Sequence, residues 1–92
     1  MNWKVEVIAS PNATGWSCTV RVGEGSRIVS EHEVDVTRSD LERLAPSSSV
    51  EDLVKRSFEF LLEREPPQSI LRRFALPDIE RYFPEFSRVI TS

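Results

Sequence analysis

The chain has 92 residues, of which 39% are hydrophobic and 29% charged; this is enough chain for one hydrophobic core but not for a second domain. Its 15 acidic and 12 basic side chains give a net charge of −3, which argues against a protein that works by neutralising phosphates. A single cysteine and a single histidine exclude an internal disulfide, a thiolate-rich zinc site and any site that needs two imidazoles.

The glycines and prolines divide the chain near residue 37. All three glycines precede this point, and every proline except Pro11 follows it. We therefore predict a single domain over residues 1–92, with a sheet in 1–36 and a helical part in 37–92. No apolar run approaches the roughly 18 residues needed to span a bilayer, and the start, Met1–Glu6, is charged and alternating. We expect a cytoplasmic protein with no membrane partner.

Three segments of alternating polarity predict three β-strands. Apolar residues dominate the odd positions of 3–9 and the even positions of 16–22 and 26–36. The turn lengths predict that Ala9 faces Trp16 and that Val22 faces Ser26, which places the apolar residues on one side of an antiparallel meander. That side is predicted to carry Trp3, Val5, Val7, Ala9, Trp16, Cys18, Val20, Val22, Ile28, Ser30, His32, Val34 and Val36.

The next part of the chain predicts helices that cover this sheet. Thr37–Asp40 has the form of a capping box, which begins a short helix that Pro46 ends. Ser49 begins a second such signature. From Val50 to about Glu65 apolar residues recur at intervals of three and four, which predicts the longest helix. Pro66–Pro67 then ends it.

The last part of the chain predicts further, shorter helices. Gln68–Phe74 is interpreted as one of them, and Pro77 suits the start of another. Pro84 interrupts the final segment. The predicted fold class is therefore α+β: a three-stranded antiparallel meander is followed by one long and several short helices, all packed on one face of the sheet.

Cys18 and His32 are the only soft nucleophile and the only imidazole of the chain. The predicted register places them one pair of residues apart on neighbouring strands. A thiolate with an imidazole could carry acyl transfer, so a Cys/His-dependent enzyme is one alternative. Both residues fall on the buried side, however, where a thiol is inert. We therefore predict core residues, no catalytic residue and no enzyme.

Glu31, Glu33 and Asp35 form an acidic row on the exposed side of the third strand. The row could serve a cation or a basic partner. Its three carboxylates are strung out over about 13 Å, whereas a hard cation needs oxygens that converge. We predict instead that these charges protect the edge of the sheet from pairing with another edge. No glycine-rich nucleotide motif is present either, so we expect no metal and no cofactor.

The C-terminal segment interleaves arginines with aromatic residues. Such a pattern can bind single-stranded nucleic acid, but carboxylates in the same stretch nearly cancel its charge, so we expect no nucleic-acid partner. We predict that Phe74 and Phe83 dock onto the domain's own helix. The outer residues are predicted to contact a partner protein or a second copy; they are Arg81, Tyr82, Phe86 and Arg88. The open alternative is a tail that only completes its own core.

The stretches Ser57–Pro66, Ile70–Phe74 and Ile79–Phe86 carry a resemblance, and the last contains an Ile-x-Arg-Tyr-Phe-Pro-Glu element. This part of the chain resembles the tail of small uncharacterised bacterial proteins, which implies no activity and no site residue. The strand order and acidic character are also similar to HicB-type antitoxins, which would imply a nucleic-acid-associated regulator. The chain lacks that family's Pro-Gly-Cys strand turn and Gly-Asp-Thr helix start, so this likeness is an analogy.

The function predicted from these observations is a small, non-enzymatic cytoplasmic domain that binds another protein or itself. No catalytic constellation stands out in the sequence. The chain does hold two Trp, five Phe and one Tyr, and a core of this size leaves some aromatic side chains for a binding surface.

Overall fold

The computed structural model describes residues 2–91, so the predicted domain of residues 1–92 extends one position beyond it at each end. The class is α+β, as predicted. The elements are β1 (Lys4–Pro11), β2 (Gly15–Glu24), β3 (Arg27–Thr37), α1 (Arg38–Leu44), α2 (Val50–Leu62), a 3₁₀ turn (Pro67–Ser69), β4 (Arg73–Ala75), α3 (Asp78–Tyr82) and α4 (Phe86–Thr91).

The described strands form one sheet in the order β1-β2-β3-β4. The antiparallel meander of β1, β2 and β3 is confirmed. The helix predicted over Gln68–Phe74 is wrong, because this stretch contains the 3₁₀ turn and the start of β4, which pairs parallel to β3. The Glu33 N–H donates to the Arg72 carbonyl at 2.7 Å, and the Leu76 N–H donates to the Asp35 carbonyl at 2.9 Å. A strand of three residues is too short to show alternation, so only this long-range pairing defines it.

The predicted strand registers are wrong, although the predicted sides of the sheet hold for most positions. Ala9 faces Cys18 rather than Trp16, and Val22 faces Ser30 rather than Ser26. The second hairpin turns later than predicted, because Gly25 adopts a positive φ of 62° and β2 runs on to Glu24. Both displacements are by an even number of residues, so each strand keeps the same face toward the core.

A bulge in β3 changes the side on which Ile28 lies. Gly23 pairs with Ile28 while Val22 pairs with Ser30, which leaves Val29 as an extra residue. An extra residue reverses the alternation before it. Ile28 is therefore 61% exposed rather than buried as predicted, and Val29 packs against the core in its place.

Capping side chains begin both longer helices, as predicted. Thr37 Oγ1 accepts from the Asp40 N–H, and Asp40 Oδ2 accepts from the Thr37 N–H, each at 3.0 Å. Ser49 Oγ accepts from the Asp52 N–H at 3.1 Å and begins α2. This helix ends at Leu62, somewhat before the predicted Glu65, because the chain there tightens into a turn before the prolines.

The core lies between the sheet and the apolar face of α2. Phe58 is at its centre, with its ring 5.2 Å from the His32 imidazole and 6.0 Å from the Phe74 ring. The spacing predicts an inward stripe of Val50, Leu53, Val54, Ser57, Phe58, Leu61 and Leu62, widened by Phe60. All of these are buried except Leu62, which is half-buried. Among residues 2–91, none of the helices has both the length and the apolar character required to cross a bilayer.

The C-terminal segment completes this core. Phe74 is buried and Phe83 packs edge-on against Phe60 at 5.9 Å, so the predicted docking of both is confirmed. The prediction that Phe86 lies near the surface is wrong, because it is 0% exposed, with its ring 5.2 Å from that of Phe60. Phe86 and Ile90 lie four residues apart on the side of α4 that faces the core.

Candidate functional site

An open groove of about 350 Å³ lies between the C-terminal end of α2, the segment that leads into β4, and α3. This volume is within the range of ligand-binding clefts. Its floor is formed by apolar core residues. Its rim carries two large apolar side chains that remain in solvent: Leu71 is 52% exposed and Tyr82 is 68% exposed. The residues that line it are Leu61, Glu65, Ser69, Ile70, Leu71, Phe74, Asp78, Ile79, Tyr82 and Phe83.

A hydrogen bond from the sheet holds the Leu71 side of the groove. The Leu71 carbonyl accepts from His32 Nδ1 at 2.7 Å, and since a carbonyl can only accept, that ring nitrogen carries the proton. The other ring nitrogen, Nε2, is 2.8 Å from Ser30 Oγ. Ile70 faces the core, and adjacent residues in an extended chain point to opposite sides. The Leu71 side chain is therefore directed outward from a fixed backbone.

The position of Tyr82 follows from the shortness of α3. Ile79 is buried and Phe83 packs against the core, four residues later on the same side. Tyr82 is the last residue of α3; it lies next to this buried side and is exposed to solvent. Because Pro77 and Pro84 bound the element, it cannot extend or rotate to bury a third large side chain.

Two carboxylates flank the groove and give it a negative character. Glu65 is half-buried there, and it forms no ion pair with any residue in the described range 2–91. Asp78 accepts from the Ala75 N–H at 3.1 Å, and its other oxygen is 3.9 Å from Arg81 Nη1. The Arg81 side chain is 80% exposed, so it neutralises Asp78 only weakly. The groove therefore favours a cationic group beside an apolar one.

Of the four residues predicted to bind a partner, only Tyr82 lines the groove. Arg81 is exposed on the same helix, and Arg88 is exposed on α4, outside the groove. Phe86 is buried and offers no surface to a partner.

Leu71 and Glu65 line the groove but were not predicted as binding residues. The available signal was the adjacent pair Ile70–Leu71, since two neighbouring apolar residues of one extended segment cannot both face the same core.

Cys18 and His32 are both buried, as the alternation predicts. Cys18 faces Val34 and His32 faces Val20, which keeps the two one pair of residues apart. Burial, followed by the charges of Glu51, Glu33 and Asp35, raises the pKa of the Cys18 thiol from its ordinary 9.0 to about 11. The sulfur is therefore protonated at neutral pH and closed to solvent, and both nitrogens of His32 are engaged elsewhere.

The raised pKa of Cys18 predicts a loss of stability in alkali. Below pH 9 the thiol is protonated in the folded and unfolded chains, so its full contribution is present. As pH rises from about 9 to about 11, the unfolded chain loses the proton first, and stability falls. We expect this fall to be smaller in Cys18→Ala by on the order of 2 kcal/mol, as measured by urea unfolding at each pH. Equal pH profiles for the two proteins would contradict the prediction.

The prediction that the acidic row of β3 protects an edge is wrong for Glu33 and Asp35, because β4 pairs with β3 along Glu33–Asp35. Glu31 precedes this paired stretch. Each carboxylate instead meets a donor on β2. Arg21 Nε donates to Glu31 at 2.8 Å, Thr19 Oγ1 to Glu33 at 2.7 Å, and Ser17 Oγ to Asp35 at 3.4 Å. The hydrogen bond with Glu31 is the main cause that raises the pKa of Arg21.

Within residues 2–91 no group of three or more His, Cys, Asp or Glu side chains could hold a metal ion.

The groove is thus the arrangement with the clearest chemistry. Its apolar floor can take a large aliphatic or aromatic side chain, and its two carboxylates can hold a cation next to it.

The likeness to small bacterial proteins and to HicB-type antitoxins stays a prediction. No protein-family model, no curated protein and no solved structure matches the chain.

Proposed function

We propose that the chain is a non-enzymatic binding domain whose groove receives a segment of another protein. The segment carries one large apolar side chain with a lysine or arginine beside it. The observation that supports this most is the exposure of Leu71 and Tyr82 at the rim of an apolar groove. Large exposed apolar side chains that flank a pocket are typical of interfaces.

The charges around the groove support a basic protein segment over a nucleic acid. Glu65 has no ion-pair partner among residues 2–91. A cationic side chain of a partner could therefore hydrogen-bond to its carboxylate without displacing a cationic side chain of this protein. The same carboxylate and that of Asp78, which also lines the groove, repel phosphate groups. The net charge of −3 acts in the same direction at longer range.

The composition of the rim supports a protein over a small molecule. Tyr82 presents a large, rigid surface with few rotatable bonds, and Arg81 next to it offers five further donors. The groove is open to solvent rather than enclosed, so it would cover only one side of a small ligand. A side chain anchored on a peptide backbone would instead continue over Leu71 and Arg81.

A selection of displayed peptides against the full chain tests this proposal. We expect the enriched peptides to combine a Leu, Met or aromatic residue with an adjacent Lys or Arg. Tyr82→Ala should raise their dissociation constant about tenfold or more, as at an interface hot spot. Its free energy of unfolding should change by no more than roughly 0.5 kcal/mol, because the side chain is largely in solvent.

Two further variants separate the contributions to binding. Glu65→Gln keeps the shape of the groove and removes the negative charge of this side chain. It should therefore weaken the binding of basic peptides and make that binding less sensitive to salt. Val89→Ala is the matched control, since Val89 is an exposed apolar residue of α4 outside the groove. Enriched peptides that bind Tyr82→Ala as tightly as the wild type, or a selection that enriches none, would refute the proposal.

A further inference from the structure

We propose that two copies of the chain associate through β1. The two β1 strands pair antiparallel, with Val5 of one copy opposite Val5 of the other on a two-fold axis, and join the two sheets into one. This inference concerns the edge of the sheet opposite to β4, so it does not depend on the groove beside β4.

The first observation is that β1 is the outermost strand and pairs only with β2. The Asn12 N–H donates to the Gly15 carbonyl at 2.8 Å, which makes these two a hydrogen-bonded pair of the hairpin. Hydrogen-bonded and non-hydrogen-bonded pairs alternate along an antiparallel ladder. The backbone groups of Lys4, Glu6, Ile8 and Ser10 are therefore used by β2, while those of Val5, Val7 and Ala9 point outward. An edge of this kind is a template for another strand.

The second observation is the charge pattern of β1, which selects the register. With Val5 on the axis, Lys4 of each copy lies opposite Glu6 of the other, so the interface gains two opposite-charge pairs. With Glu6 on the axis, two carboxylates would meet, and like charges directly opposite are destabilising. With Val7 on the axis, Glu6 faces Ile8 and Lys4 faces Ser10, which gains no charge pair. Lys4 forms no ion pair within residues 2–91, and Glu6 has a long, exposed ion pair with Arg21 at 3.6 Å, which contributes little, so both side chains can pair with the second copy.

The third observation lies on the helix-bearing side of the same strand. Trp3, Val5 and Val7 point to this side but are only half-buried, because no strand covers them from beyond β1. A space of about 750 Å³ between this edge and α2 is lined by the apolar Trp3, Val5 and Leu62. Three carboxylates also line it, those of Glu59, Glu63 and Glu65, of which Glu65 also lines the groove. In the Val5-centred register, Trp3 of one copy faces Val7 of the other. Aromatic and β-branched residues stabilise a sheet when they face each other across strands.

Charge exchange on β1 tests the register with the full chain. Sedimentation or light scattering over a wide range of protein concentration is expected to show a dimer for the wild type. Lys4→Glu and Glu6→Lys should each raise the dimer dissociation constant about tenfold or more, because each turns both opposite-charge pairs into like-charge pairs. An equimolar mixture of the two variants should recover the dimer, since every facing pair is then of opposite charge.

The controls distinguish pairing from folding. Lys4 and Glu6 are exposed, so each variant should melt close to the wild type. Glu42→Lys makes the same change of charge at an exposed position on α1, which packs against β3, α2 and α4, and should leave the dimer unchanged. A wild type that is monomeric at every concentration would overturn the proposal. So would single variants that dimerise like the wild type, or a mixture that does not recover the dimer. None of these results bears on peptide binding at the groove.

Discussion

Removal of residues 76–92 is expected to abolish cooperative unfolding. The segment supplies Leu76 and Phe86, both 0% exposed, together with Ile79 and Ile90 at 3% and 4%. Without them the apolar surface of α2 around Phe60 would lie open to water, at about 25 cal/mol for each Å² exposed. A domain of this size has about 5–10 kcal/mol of stability to lose. Thermal unfolding followed by circular dichroism should show a broad, non-cooperative change for the chain that ends at Ala75.

The comparison with full-length Tyr82→Ala makes this prediction specific. That variant removes the exposed aromatic residue of the same segment and should melt within a few degrees of the wild type. A truncated chain that melts cooperatively near the wild-type temperature would instead mean that the tail is a separate binding element. The structure favours a mixed role, because Phe86 completes the core while Tyr82 faces solvent.

Phe58→Ala is expected to lower the free energy of unfolding by about 3–5 kcal/mol, the range for a fully buried aromatic residue. Its ring fills the space between α2 and the sheet, against His32 and Phe74. Glu59→Ala, at the next position of the same helix, is exposed and should stay within roughly 0.5 kcal/mol. Urea unfolding of the three proteins measures both changes. Similar losses at the two positions would mean that another face of α2 covers the sheet.

Features that depend on neighbouring residues could be predicted from the sequence. The buried face of α2 follows from its spacing of three and four, and both helix starts follow from a side chain that caps an N–H three residues on. The sides of the sheet were also predictable, because an error of two or four residues in register leaves each side chain on the same face.

Features that depend on distant residues could not be predicted. β4 forms because Arg72–Leu76 hydrogen-bond with Glu33–Asp35. The three residues of β4 have no sequence pattern that predicts this pairing. The same pairing places Glu33 and Asp35 of the acidic row inside the sheet rather than at its edge.

The candidate groove depends on this pairing as well. Tyr82 could be predicted as an outward aromatic residue between two prolines. Leu71 and Glu65 could not be placed beside it, because their positions follow from β4 and from the bond between His32 and the Leu71 carbonyl.

The most direct test of the proposed groove is a nuclear magnetic resonance titration of the isotope-labelled chain with a peptide enriched by the selection. We predict saturable shifts that are largest at the backbone amides of Glu65, Leu71, Asp78 and Tyr82. The same titration of Tyr82→Ala should give much smaller shifts at equal peptide concentration. Shifts that are largest on β1 or on the outer face of the sheet, or that persist unchanged in Tyr82→Ala, would contradict binding at the groove.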